Sequence, residues 1–176
     1  ATTPTQIQIS SMTVRNTVAY GGISLDRATS VYFNNVKFQG SFGSGGSDAS
    51  TSKGVTVNHS TATYSTSNVT FNQCQFTKFA RLIDISYNAT NVRFHACDFS
   101  TAYYGALIGA EMDGSTAGLN DGPRDMQFTS SSWSDIGQQA ILVSPKTGTT
   151  DGAGPRHIVS HANFYAQTVA NNFEGT

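Results

Sequence analysis

Apolar residues recur through this chain at offsets 0, 2, 5 and 7 of a repeat, and that spacing excludes most folds. Ile7, Ile9, Met12 and Val14 make one copy, and Val31, Phe33, Val36 and Phe38 the next. Val69, Phe71, Cys74, Phe76 and Val92, Phe94, Cys97, Phe99 follow. Met126, Phe128, Ser131, Trp133 has one polar exception, and His157, Val159, Ala162, Phe164 is a degenerate last copy. The copies start 24, 38, 23, 34 and 31 residues apart, so the unit is about 23 residues and the longer intervals carry insertions. A period of that size marks a stacked repeat architecture.

The unit has a direct physical reading. Strand side chains alternate, so offsets 0 and 2 share a face, as do 5 and 7. Between offsets 2 and 5 the alternation breaks by one residue, so the chain must bend there and still point the next pair inward. The bends fall at Ser10-Ser11, Asn34-Asn35, Asn72-Gln73, His95-Ala96, Thr129-Ser130 and Ser160-His161. These are mostly small polar or amide residues that tolerate left-handed backbone. A third inward pair is predicted at Ile83/Ile85, Ala106/Ile108 and Ala140/Leu142, with Ile23/Leu25 displaced by two residues. Three short strands per unit, all turning one way, describe a rung of a parallel β-helix of about six to seven rungs. A rung cannot bury its own apolar face, whereas stacked rungs share a continuous core. Phe33, Phe71, Phe94 and Phe128 should then form one aromatic stack, and Phe38, Phe76, Phe99 and Trp133 another. The competing fold is a β-sandwich, which should place Asp-Gly turns between strands. Here Asp113-Gly114, Asp121-Gly122 and Asp151-Gly152 all fall inside insertions.

Composition agrees with an all-β chain rich in polar turns. Of 176 residues, 43 are Ser or Thr and only 12% are charged, which is unlike a helical bundle. A net charge of −1 gives no electrostatic footprint for nucleic acid, and no apolar run reaches the length of a membrane span. Eleven Phe and seven Tyr can fill a core. The length suits a single domain over 1–176, expected to be a segment of a longer chain.

Residues 68–76 and 91–99 share the form Asn-Val-x-Phe-x-x-Cys-x-Phe. With the repeat from Ile7 to Phe173, this resembles the right-handed parallel β-helix superfamily. That group includes pectate-lyase-like enzymes and the tail fibres, tailspikes and appendages of bacteriophages. The resemblance implies a virion or extracellular setting, homotrimeric assembly and attachment to a host-surface polysaccharide. A polysaccharide lyase or glycoside hydrolase is the alternative, and a bacterial surface adhesin a third reading. Fold alone does not choose among them.

Residues able to carry chemistry are few and scattered. Cys74 and Cys97 hold one offset in neighbouring rungs on the core face and read as buried free thiols. No Cys or His lies at zinc-ligand spacing, and the loop Asp113–Asp121 lacks EF-hand spacing, so neither metal nor cofactor is expected. His95 and His161 fall at bends, His157 in the last copy and His59 in a connector, with no nucleophile–base arrangement around them. Glycoside hydrolysis needs paired carboxyls. Asp84 should face solvent with Leu107 and Ile141 as rung neighbours, and Asp98 should lie between Gln75 and Ser132, so neither continues an acidic pair. No catalysis by this segment alone is expected.

The insertions carry the remaining signal. One spans about residues 40–54; two others, 110–124 and 144–156, follow the same strand and both end in Gly-Pro-Arg. Stacking places them on one edge, where paired loops build binding surfaces. Tyr103, Tyr104, Glu111, Asp113 and Arg124 form the predicted ledge for a glycan. Leu107 and Ile141 should both point outward, in line, under the loops or at a subunit contact.

Overall fold

The computed structural model describes residues 6–16, 22–42, 52–57, 65–109 and 123–143, together with the backbone of strands 156–164 and 174–175. In chain order the strands are β1 (Ile7–Ser10), β2 (Thr13–Arg15), β3 (Ile23–Leu25), β4 (Thr29–Asn34), β5 (Lys37–Gln39), β6 (Lys53–Val57) and β7 (Thr66–Asn72). They continue with β8 (Gln75–Ile85), β9 (Ala89–His95), β10 (Asp98–Ile108), β11 (Arg124–Ile136), β12 (Ile141–Val143), β13 (Arg156–Phe164) and β14 (Glu174–Gly175). The described residues contain no helix.

Among the described residues every pairing is parallel, in one curled sheet of order β1-β4-β7-β9-β11-β10-β8-β5-β2 from which β3, β6, β12, β13 and β14 branch. One side of the curl stacks β1, β4, β7, β9, β11 and β13. A second stacks β2, β5 and the first halves of β8 and β10 onto the second half of β11. The third stacks β3, β6, the second halves of β8 and β10, then β12 and β14. This is compatible with a parallel β-helix and leaves no place for the antiparallel hairpins of a sandwich.

The bend that breaks alternation is a single residue. Ser11, Asn35, Gln73, Ala96 and Ser130, all at offset 4, have φ between 51° and 54°. The same device recurs at offset −1 in Ser30, Asn68, Asn91 and Asp125, and at offset 9 in Lys78, Thr101 and Asp135. Left-handed backbone is unfavourable by about 1–2 kcal/mol for a residue bearing a Cβ. It persists because each corner is hydrogen-bonded: Ser11, Asn35, Gln73 and Ala96 N–H groups each donate to the offset-3 carbonyl of the next turn, at 2.9–3.0 Å. Asn at corners adds side-chain bonds, as where Asn91 Nδ2 donates to Asn68 Oδ1 at 2.6 Å.

In-register stacking builds the core. Phe33, Phe71, Phe94 and Phe128 lie with centroids 4.7–4.8 Å apart and planes within 4°. Phe38, Phe76, Phe99 and Trp133 form the second stack at 4.0–4.9 Å. The two stacks meet edge to face at 5.6–6.1 Å. Ser131, the polar exception of the repeat, copies its cysteine neighbours. Cys74 Sγ donates to Asn72 O, Cys97 Sγ to His95 O and Ser131 Oγ to Thr129 O, at 3.2–3.4 Å. Each adds a second donor to a carbonyl that already accepts the corner N–H of the preceding turn.

Two registers differ from the sequence reading. Ala106 pairs with Ile141 and Leu107 with Leu142, so the inward residues of β12 are Ile141 and Val143. The cause is the corner: Ala102 pairs with Ile136 and Ala106 with Ile141, so four residues on β10 face five on the next turn. At the last turn, Met126 pairs with Ile158 rather than His157, and a bulge between Thr129 and Ser131 restores Ser131↔Ala162. The insertion from 40 to 54 also overlaps the start of a core strand: β6 begins at Lys53, and its Val55 and Val57 are fully buried.

Phe94→Ala should destabilise the protein by about 3–5 kcal/mol, the range for a buried aromatic, in urea unfolding followed by circular dichroism. Gly105→Ala should also destabilise, since its Cβ would lie 2.1 Å from the Ala140 carbonyl oxygen and 2.6 Å from Trp133. A Gly105→Ala variant as stable as the parent would contradict this packing.

Candidate functional site

Outward residues on the second side form two polar ladders. Thr13, Lys37, Gln75, Asp98 and Ser132 make one, and Arg15, Gln39, Thr77, Ser100 and Ser134 the other. Alternation puts these residues outside because their neighbours Phe38, Phe76, Phe99 and Trp133 point in. Turn-to-turn bonds fix their orientation: Ser132 Oγ donates to Asp98 Oδ1, and Ser100 Oγ to Thr77 Oγ1 at 3.0 Å. The two ladders line an open trough of about 410 Å³ between Lys37 and Ser134. A second recess of about 310 Å³ shares Lys37 and Gln75 and extends past Thr13 to Ser11 and Met12. Together they make a shallow, largely polar face with the Lys37 cation where the two meet and the Asp98 carboxylate two turns away.

The third side is different in character. Asp84, expected to face solvent, does point away from the core, but it is 0% exposed. Lys53 Nζ lies 2.8 Å from its Oδ2 and Arg81 Nη1 3.7 Å away. Its ladder neighbours Thr56 and Leu107 are also buried. A carboxylate enclosed between two cations holds structure together and cannot meet a ligand without rearrangement.

The predicted ledge is brought together only in part. Tyr103 and Tyr104 make an edge-to-face pair, centroids 4.8 Å apart and planes at 89°, both half-buried where β10 turns onto the third side. Tyr104 stands in register with Arg81. Arg124 begins β11 on the first side, paired with Thr90 and Arg156, and therefore sits on another part of the curl. Glu111 and Asp113 lie outside the described residues. Of the two residues predicted to point outward, Ile141 instead belongs to the core, because of the extra corner residue described above. Leu107 does point outward, and the single chain covers it to 3% exposure. The outward aliphatic in line with Leu107 is Leu142, half-buried.

His95 Nδ1 lies 3.0 Å from Thr129 Oγ1 at an exposed bend. His59 falls outside the described residues. Cys74 and Cys97 are free and buried. The hydrogen bond between their side chains shifts the Cys74 thiol down; that bond and burial together push Cys97 up, so the pair resists losing both protons. Among the described residues no group of three or more His, Cys, Asp or Glu converges as a metal site would require.

The sequence reading missed the trough because no single residue in it is conspicuous. Its signal was the polar character of offsets 6 and 8 in successive copies, which becomes a surface only when the copies stack. Comparison with protein-family models, curated proteins and solved structures returned no match.

Lys53→Met should destabilise the fold by about 3 kcal/mol, because it removes the nearer of the two cations that face the enclosed Asp84 carboxylate. Asp84→Asn combined with Lys53→Met should recover much of that loss in the same urea titration. A double variant no more stable than the single one would show that the ion pair is not what Lys53 contributes.

Proposed function

We propose that this chain is a right-handed parallel β-helix of about six to seven turns, serving as a rigid segment of a phage virion attachment structure. In this reading it is a tail-fibre, tailspike or appendage segment, assembles as a homotrimer and holds a host-surface polysaccharide against its outer face. The observation that carries the binding role is the polar trough of the second side. Hydroxyls and amides repeat there about every 4.8 Å, the spacing of parallel strands. A chain of sugars offers hydroxyls at comparable intervals, and many modest hydrogen bonds suit a ligand that is itself neutral and hydroxyl-rich. Lys37 and Asp98 would add orientation. The Asn-Val-x-Phe-x-x-Cys-x-Phe repeats support the virion setting, and the double aromatic stack supplies the stiffness that a display element requires.

The enzyme alternative asks for two carboxyls about 5–10 Å apart. Asp84 and Asp98 stand on different sides of the curl, and the first is enclosed. The trough therefore offers a binding surface with one carboxylate rather than a catalytic pair.

The test is polysaccharide binding by the purified assembly, with its mass read by light scattering. Retention on host-surface polysaccharide should weaken about tenfold or more in Lys37→Ala/Asp98→Ala, since each change removes a charge-assisted hydrogen bond. No new reducing ends or unsaturated uronate should accumulate. Unchanged retention in the double variant would remove the trough from the reading, and steady product release would favour the enzyme.

A further inference from the structure

Charge is segregated along the second side. Its first three turns carry Arg15, Lys37 and Lys78, with no acid among their described outward and corner residues. The next two turns carry Asp98 and Asp135, with no cation. Register alone produces this order, since β2, β5, β8, β10 and β11 stack in sequence along this side.

The cationic half is also the half whose side chains are not engaged with one another. Arg15, Lys37 and Lys78 make no side-chain hydrogen bond or ion pair among the described residues, and Arg15 and Lys78 are exposed. The exposed Gln75 amide, next to Lys37 in the ladder, is equally unbonded. In the acidic half Ser132 Oγ donates to Asp98 Oδ1, which orients that carboxylate and leaves Oδ2 to accept from a ligand. Both signs line the 410 Å³ trough. Lys37 and Asp98 stand two strand spacings apart in it, about 9.6 Å.

Exposed charges add little affinity one by one, but they decide which ligand is accepted and which way round it lies. A chain bearing only acidic groups would be drawn to Lys37 and repelled at Asp98. One bearing only amines would meet the opposite pattern. An uncharged chain would use the hydroxyl ladder and gain nothing from either charge. A chain with an acidic group and a protonated amine on separate sugars satisfies both halves and stays neutral overall.

Building on the polysaccharide reading, we propose that the trough selects a zwitterionic polysaccharide, with a sugar carboxylate over the Lys37 half and a sugar ammonium over Asp98. Lys37 Nζ donates to the carboxylate and Asp98 Oδ2 accepts from the ammonium, both as charge-assisted hydrogen bonds. The Gln75 amide between them can donate to or accept from an intervening hydroxyl.

The test compares probes of matched chain length on the purified assembly, at a mildly acid pH where sugar carboxylates and amines are both charged. Hyaluronan carries carboxylates with its amines acetylated, its fully N-deacetylated form carries both charges, chitosan oligosaccharide carries amines, and dextran carries neither. Surface plasmon resonance should show the deacetylated form bound about tenfold more tightly than each of the others, with a margin that shrinks as salt is added. Asp98→Lys should move the preference to native hyaluronan, and Lys37→Gln/Asp98→Asn should remove most of the margin over dextran. Both variants should keep the β circular-dichroism spectrum, because these side chains face outward. Dextran bound as tightly as the deacetylated form would overturn the inference and leave the trough a surface for neutral sugars. So would a margin unchanged in both variants. Failure of every probe would overturn it as well, and loss of host-polysaccharide retention besides would take the underlying reading with it.

Discussion

Parallel backbone hydrogen bonding between successive turns is the constraint on which everything else here depends. It sets one vertical spacing for the whole molecule, so whatever residue holds an offset in one turn meets its equivalent in the next. Phe71 faces Phe94 almost plane to plane because their strands pair residue for residue. The same rule acts outside: Asn72 Nδ2 donates to Asn34 Oδ1 at 2.8 Å, as Ser100 does to Thr77. Core and surface are two readings of one ladder.

The corners make that ladder possible and carry its strain. Most are ordinary side chains in left-handed backbone, including Ala96 and the β-branched Thr101. Each isolated bend would be unfavourable, but neighbouring turns bend at the same offset and exchange hydrogen bonds there. Strain is thus shared along a column, and a turn is stable only between its neighbours.

The three sides divide the labour. The first two bury aromatic stacks and present polar outer faces, one of which forms the trough. The third is buried on its outer face in the middle turns, at Thr56, Asp84 and Leu107, where Lys53 and Arg81 flank the Asp84 carboxylate. Asp98, also an outward aspartate of a strand, is open to solvent. Two aspartates with the same local pattern therefore have opposite environments, which separates a structural ion pair from a surface that can meet a ligand.

By itself the sequence determined the parallel stacking, the two aromatic columns and the place of the bend. Those follow from alternation and its one-residue break, which are local and repeated: Phe33, Phe71, Phe94 and Phe128 could share a wall in only one way. Tertiary structure decided what alternation does not constrain. It put Ile141 rather than Leu142 in the core, because the chain has one residue more between Ile136 and Ile141 than between Ala102 and Ala106. It enclosed Asp84, which local pattern placed in water, and kept Arg124 on a different side from Tyr103 and Tyr104. It also assembled Lys37, Gln75, Asp98 and Ser132, far apart along the chain, into one face. The reason is common to all of these: inward residues are selected by the core they share, whereas outward residues acquire neighbours only from the register of other turns.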